Sequence, residues 1–290
     1  MSSARKIISV LLMASMLALI VLLPKYASGL LGAQSALDWL TPKKEAFSGV
    51  ISCWHVVRFK PYSGSMGAWL EKYARRMEKR HFGVYFEVES MTESEAERRM
   101  AAGLFPDIIS FPRGFIEKSE LRETASGTAS DAENESLRAW ALAASCELLL
   151  YYPETADGEE TELLETAKKH NLEEFKSGKS PCCVADVRGA GDMQRLLSAG
   201  KADYFEVLPF ASETELVQFI GIVSKTEDEK LPYALEYIDL ILGEAAQTEL
   251  VSIGLLAMNK AVSLSYEQSF LADAYRRIAE GGGVSGSAFD

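Results

Sequence analysis

The chain has 290 residues, 48% hydrophobic and 25% charged, which suits one large or two small globular domains and excludes a disordered polymer. Lys and Arg total 30 against 42 Asp and Glu, a formal charge of -12, so a nucleic-acid partner is excluded as the working assumption: a phosphate backbone repels such a surface. Residues 1–30 contain Arg5, Lys6 and Lys25 and no acid, which leaves -12 minus 3, or -15, on the remainder.

After Arg5 and Lys6, Ile7 to Leu23 is an apolar run broken only by Ser9 and Ser15 and closed by Pro24 and Lys25. At about 1.5 Å per residue it falls short of a ~30 Å bilayer core, yet it exceeds the ~7–15 residue apolar core of a signal peptide. Residues 1–33 therefore read as either a cleaved export signal or a retained membrane anchor. Small-residue cleavage sites lie at Ala27-Ser28-Gly29 and Leu31-Gly32-Ala33. Basic residues before the run place the body outside the membrane, secreted or anchored. The first cysteine is Cys53, too far on for a lipid-modified N-terminal cysteine.

Beyond a polar linker near Pro42-Lys43-Lys44, Gly49 to Val57 predicts a strand, and Pro61 to Ser65 the loop after it. Trp69, Leu70, Tyr73 and Met77 share one face of a helix whose other face carries Glu71, Lys72, Arg75, Arg76 and Lys79. Val84, Phe86 and Val88 alternate with polar neighbours as a strand does. Thr92 and Glu95 form a capping-box pattern for a helix that Gly103 closes. Asp107 to Phe111 is a short strand turned by Pro112-Arg113-Gly114. This alternation predicts a parallel α/β sheet with loops gathered at the strand C-termini.

Residues 122–136 read as an exposed crossing. A second α/β set comes next, with strands at Glu147 to Tyr152, Pro181 to Val187 and Asp203 to Leu208. Its helices are expected at Glu160 to His170, Leu172 to Lys176 and Asp192 to Ser198. Leu216 to Val223 is a longer strand, and helices are expected from Pro232 to Gly243, from Glu244 to Ile253 and over 266–279. Residues 281–290 read as a disordered tail.

The four cysteines, Cys53, Cys146, Cys182 and Cys183, are too few for a disulfide scaffold. Adjacent Cys182 and Cys183 would point to opposite faces of a strand as small buried hydrophobes. His55, His81 and His170 lack ligand spacing, so no metal is expected. Gly189-Ala190-Gly191-Asp192-Met193-Gln194 has two glycines of a dinucleotide fingerprint but Gln194 in place of the third. Gly178-Lys179-Ser180 ends like a phosphate loop, but Glu173 stands where the upstream glycine belongs. Ser65 lies outside any nucleophile elbow. No catalytic constellation and no cofactor are expected, and the chain is read as a non-enzyme.

Several segments, in order over about residues 48–262, resemble the extracellular solute-binding proteins of ABC importers, of the sugar type related to maltose-binding protein. They are Val50-Ile51-Ser52-Cys53-Trp54-His55 with Gly64-Ser65 and the Trp69 helix; Gly103-Leu104-Phe105-Pro106-Asp107 running into Ile108 to Phe111; Leu148 to Tyr152; Phe175 to Ser180; Leu208-Pro209-Phe210; Gly221 to Ser224; and Ala246 to Leu250. The resemblance implies a two-lobed periplasmic-binding-protein-like α/β fold that closes on a ligand by hinge bending, preceded by the N-terminal hydrophobic helix. The first lobe would comprise residues 46–121 and about 209–265, and the second about 137–208 with the helix 266–280. The stretch from Tyr152 to Leu208 is short for the family, so the second lobe is expected to be reduced and the cleft shallower. The implied ligand-binding residues are Trp54, His55, Ser63, Gly64, Ser65, Met91, Phe111, Arg113 and Gly114 from the first lobe, with Trp140, Arg188 and Tyr204 from the second. The partners implied are a small ligand, expected to be a carbohydrate, and an ABC permease, with the protein a monomer. The alternative is a membrane-tethered interaction or regulatory domain with a vestigial cleft; a hydrolase or transferase on the same scaffold is a third possibility.

Overall fold

The computed structural model describes residues 47–124, 138–155, 160–210, 216–263, 265, 271–273 and 275–276. By contact the chain divides into Met1–Phe47 and Ser48–Asp290. The hydrophobic segment 1–33 and the tail 281–290 lie outside the described residues, as do nearly all of the crossing 122–136 and most of the expected helix 266–279. Every strand and helix among the described residues belongs to the second unit.

Strands β1 (Gly49–Val56), β2 (Val84–Met91) and β3 (Ile108–Pro112) alternate with helices α1 (Met66–Arg80) and α2 (Glu93–Ala101). Ser65 caps α1 by accepting the Ala68 N–H at 3.1 Å, and Thr92 caps α2 by accepting from Glu95 N at 3.3 Å, satisfying first-turn donors in each case. The buried face of α1 is Met66, Trp69, Leu70, Tyr73, Ala74 and Met77, the stripe expected from a 3.6-residue period. β1 pairs in parallel with both β2 and β3, as the strand-helix alternation requires.

The sheet then departs from the parallel expectation. β8 (Val217–Ile222) inserts antiparallel beside β3, followed by β4 (Ala139–Ala144) and the short β9 (Leu256–Ala257), giving the order β2-β1-β3-β8-β4-β9. β4 falls in the stretch assigned to the second lobe from sequence, yet it hydrogen-bonds into this larger sheet. Ser145 and Cys146 alone separate it from β5 (Glu147–Tyr151), so the chain changes sheet there and not near residue 137.

The smaller sheet is antiparallel, with β5 between β6 (Cys182–Asp186) and β7 (Glu206–Phe210). Helices α3 (Glu160–Ala167), α4 (Leu172–Lys176) and α5 (Val187–Ser198) belong to the same stretch of chain. Asn171 and Glu174 form a reciprocal capping box on α4. The adjacent cysteines do face opposite ways. Cys182 packs with Leu149, Leu163 and Ala167, whereas Cys183 joins the main core with Leu148, Leu150 and Phe175. All four cysteines are free and buried, and burial pushes the thiols of Cys53, Cys146 and Cys183 up to about 12.

One apolar cluster runs through both sheets, from Trp54, Phe111 and Phe219 to Leu148, Leu150, Ala190 and Met193. Helices α6 (Leu231–Leu242) and α7 (Glu244–Ser252) complete the larger half. Tyr237 of α6, fully buried, donates its hydroxyl to Leu70 O at 2.9 Å. Asp107, immediately before β3, accepts from Ser52 N at 2.9 Å and from Lys230 Nζ at 3.0 Å. Its backbone carbonyl accepts from Val223 N and from the Thr226 hydroxyl. Asp107 of the Pro-Asp motif thus joins β1, β3, β8 and the start of α6, and its role is structural.

Candidate functional site

The C-terminal ends of β1, β2 and β3 lie side by side, and the loops that leave them surround a cavity of about 350 Å³ lined by Arg58, Glu93, Glu97, Pro112, Arg113, Gly114 and Phe115. Ligands of open α/β sheets settle beyond such an edge. The volume is at the lower end of the roughly 300–1,000 Å³ typical of small-molecule sites. Arg58 and Glu93 form an ion pair at 3.4 Å on the rim. Arg113 projects from the turn after β3 with its guanidinium 5.9 Å from the centre of the Phe219 ring. Its Nε and Nη2 are buried without a hydrogen-bond partner.

Beneath this edge lies a buried polar chain. Gln218 Nε2 donates to both Val56 O and Ser110 Oγ at 3.0 Å, and Ser110 Oγ is 3.2 Å from His55 Nδ1. Ser110 Oγ, with one proton and two lone pairs, can accept from Gln218 and still either donate to or accept from His55 Nδ1. Burial pushes His55 down to about 4, in keeping with a neutral ring.

Beside the cavity, the loop between β1 and α1 is strapped to the smaller sheet. Arg188, in the first turn of α5, donates from Nε to Pro61 O at 3.0 Å and from Nη2 to Gly64 O at 2.5 Å. Tyr62, between those two carbonyls, lies against Gly191 of α5 and against Gly254, and a Cβ at either glycine would overlap its side chain. Gly254 also has φ +81, a conformation few side chains adopt. The Arg195 guanidinium stands 5.9 Å from the Tyr62 ring centre, and Ser63 N donates to Ile253 O at 3.2 Å. The segment Arg188 to Gly191, which precedes the helix expected from Asp192, is already helical because Asp186 caps it by accepting from Gly189 N at 2.6 Å.

Of the residues singled out from sequence, only Arg113 and Gly114 line the cavity. Ser63, Gly64 and Arg188 make up the strap, and Ser65 is the cap of α1. Trp54, His55, Met91 and Phe111 are buried behind the rim. The Arg99 guanidinium lies 5.5 Å from the Trp54 ring centre, and Phe111 stacks on Phe219 at 6.1 Å. Trp140, half-buried on β4, stands opposite Ile220. Tyr204 is 64% exposed and lines a different cavity of about 600 Å³ with Tyr152, Lys179 and Asp203. That cavity sits where Tyr151 of β5 pairs with Cys182 and Glu206, the end of the small sheet remote from the β4–β5 crossing, so Tyr204 does not join the first site. Tyr62, Arg58, Glu93 and Glu97 were not singled out. Tyr62 lies in the loop expected after the first strand and Arg58 just before it, and Glu93 and Glu97 have the i, i+4 spacing that puts both on one helix face.

Among the described residues no group of His, Cys, Asp and Glu could hold a metal ion, and no helix is long and apolar enough to cross a membrane.

The two sheets, the crossings between them and the cavity at the strand C-termini define a two-lobed periplasmic-binding-protein-like fold. No protein-family model matches the sequence, and no curated protein is similar to it at the sequence level. Solved structures share the fold. The GacH receptor of Streptomyces glaucescens, determined unliganded and with acarbose, is similar with a TM-score of 0.55 at 13% identity, covering 83% of this chain and 88% of that one. CpMnBP1 with mannobiose bound gives 0.55 at 9% identity over 80% and 88%. The maltose/maltodextrin-binding domain of Bdellovibrio bacteriovorus bound to maltotriose gives 0.52 at 12% over 81% and 87%.

Proposed function

We propose that the protein is an extracytoplasmic solute-binding protein that captures a small carbohydrate and presents it, as a monomer, to an ABC permease. The observation that carries this reading is the cavity at the C-terminal ends of β1, β2 and β3, bordered by Arg58, Glu93, Glu97 and Arg113. These side chains provide the donors and acceptors that hydroxyls need, on the sheet edge where such folds take ligands. The similar structures, solved with oligosaccharides or acarbose, support a carbohydrate as the class to test first. The apolar N-terminal segment supports export or anchoring outside the cytoplasm, and the absence of a catalytic constellation in the sequence supports a binder over an enzyme.

The test is a thermal-shift screen of the full chain with mono- and oligosaccharides, polyamines and amino acids. A ligand at a hundredfold its dissociation constant adds about 2.7 kcal/mol, a shift of several degrees for a domain of this size. A panel that moves nothing removes the capture reading. The second reading, a membrane-tethered interaction or regulatory domain with a vestigial cleft, is favoured by the strap: Tyr62 is lodged between Gly191 and Gly254, and the core is continuous between the sheets. On that reading no solute stabilises the chain.

A further inference from the structure

The cavity at the far end of the smaller sheet is the larger of the two, at about 600 Å³ against about 350 Å³, and it lies well inside the roughly 300–1,000 Å³ range of small-molecule sites. Its walls are turns fixed from behind. Tyr152 N donates to Pro181 O at 2.9 Å, the Tyr152 ring stacks on Phe175 at 4.3 Å, and its hydroxyl donates to Phe175 O at 3.2 Å. Ser180 is buried and donates from Oγ to Cys182 O at 2.6 Å. Lys179 N donates to Glu174 O at 2.9 Å where α4 ends. The backbone that carries Tyr152 and Lys179 is therefore set in advance, which lowers the cost of ordering a site around a ligand.

The groups on these walls are accessible. Glu154, Lys179, Asp203 and Tyr204 all line the cavity and are all exposed. Among the large apolar side chains that the described residues leave exposed, Val50, Phe82, Tyr85, Leu104 and Tyr204, Tyr204 alone lines either cavity. Lys168 and Lys176, on the neighbouring helices, are held by Glu165 and Glu173 at 2.9 and 2.8 Å. Lys179 shares its cavity with two carboxylates and pairs with neither, and among the described residues the side chains of Glu154, Lys179 and Asp203 have no ion-pair partner.

This combination selects a class of ligand. An anion gains from Lys179 but meets two carboxylates, and a cation gains from Glu154 and Asp203 but meets an ammonium. A free amino acid matches the charges but fills little of the space. A neutral polyhydroxylated ring suits every group, because each hydroxyl donates to a carboxylate or accepts from an ammonium, while its apolar face lies on an exposed aromatic ring.

We infer that this cavity is a second ligand site, for a neutral oligosaccharide, with one sugar ring on Tyr204 and its hydroxyls shared among Asp203, Glu154 and Lys179. The site is separate from the cavity at the ends of β1, β2 and β3 and does not depend on capture there.

The test is calorimetric titration of the full chain in a polyoxyethylene detergent, which carries no sugar. The probes are a panel of neutral di- and trisaccharides that includes mannobiose and maltotriose, with lysine and glutamate as free amino acids. The proteins are the parent, Tyr204→Ala, Tyr204→Phe and Asp203→Asn, all changed at exposed positions and all expected to melt as the parent does. At least one saccharide should bind the parent and lose tenfold or more in Tyr204→Ala, the removal of a buried ring face being of that size. Tyr204→Phe keeps the ring and should bind within about twofold of the parent, whereas Asp203→Asn should weaken binding several-fold by removing a charged acceptor. Saccharide binding that Tyr204→Ala leaves intact lies elsewhere, which overturns the inference and leaves the solute-binding reading standing. A single saccharide site abolished by Tyr204→Ala upholds the inference and removes the support for capture in the cleft. Tyr204-dependent binding of an amino acid in place of any saccharide overturns the ligand class, and no binding of any probe, together with a silent screen, overturns both readings.

Discussion

The two sheets are held together by different means. In the larger sheet, polar groups inside the core fix the relation of β1, β3, β8 and α6: the Asp107 junction at one end of the strands and the His55–Ser110–Gln218 chain at the other. The smaller sheet is mainly apolar inside. Leu148, Leu149, Leu150, Cys182 and Cys183 fill it, and Phe175 stacks on Tyr152 at 4.3 Å. Apolar packing tolerates small shifts, whereas a buried polar junction has one geometry. The larger sheet therefore has a rigid rim on which to build a site, whereas the smaller one meets it through the shared apolar core and through the contacts of Arg188 and Tyr62.

Removing the polar junction should have the largest effect. Asp107→Ala removes the carboxylate that accepts from the Lys230 ammonium and the Ser52 N–H, and breaking a largely buried ion pair from one side costs about 3–5 kcal/mol. Urea unfolding followed by tryptophan fluorescence should show that loss. A loss below about 1 kcal/mol would mean that the larger sheet, like the smaller, is held by apolar packing alone.

The other polar cluster is open to a pH test. His55 is pushed down to about 4 from 6.5 by burial. As pH falls, the unfolded chain takes up the proton first, so the contribution is full above about 6.5 and is lost between about 6.5 and 4. A shift of that size corresponds to roughly 3 kcal/mol. The difference in unfolding free energy between the parent and His55→Gln, measured at several pH values, should narrow across that window. A difference independent of pH would place the imidazole in contact with solvent.

The same contrast explains what the sequence made legible. β1, β2, β3, α1 and α2 follow from local pattern, because each strand pairs with a near neighbour and each helix buries a regular stripe such as Trp69, Leu70, Tyr73 and Met77. The insertion of β8 beside β3, and the return of β4 to the larger sheet, are long-range antiparallel pairings with no local signature. Arg113 was legible as a turn residue at a strand end, whereas its missing acceptor is a three-dimensional fact. Tyr204, expected in the cleft, precedes β7 and lines the separate cavity at the start of that strand, a placement that depends on the fold and has no local signature.

Gly189 and Gly191 lie within α5 although two glycines in three residues oppose a helix, and this sets up the smallest but most discriminating experiment. In an ordinary helix, Gly191→Ala would stabilise by up to about 1 kcal/mol. Here the added Cβ overlaps the Tyr62 ring, so the loop must leave its seat, and overpacking of this kind costs roughly 1–3 kcal/mol. The sign of the change thus reports whether the strap is in place. Tyr62→Ala opens the seat, so adding Gly191→Ala to it should be neutral or stabilising, which makes the pair strongly non-additive in a double-mutant cycle. Additive effects would show that Tyr62 does not occupy the seam in solution, and the reading of a vestigial, self-filled cleft would lose its support. A non-additive pair in a protein that also binds a solute would mean instead that capture proceeds with the strap closed, on the Arg113 side of the loop.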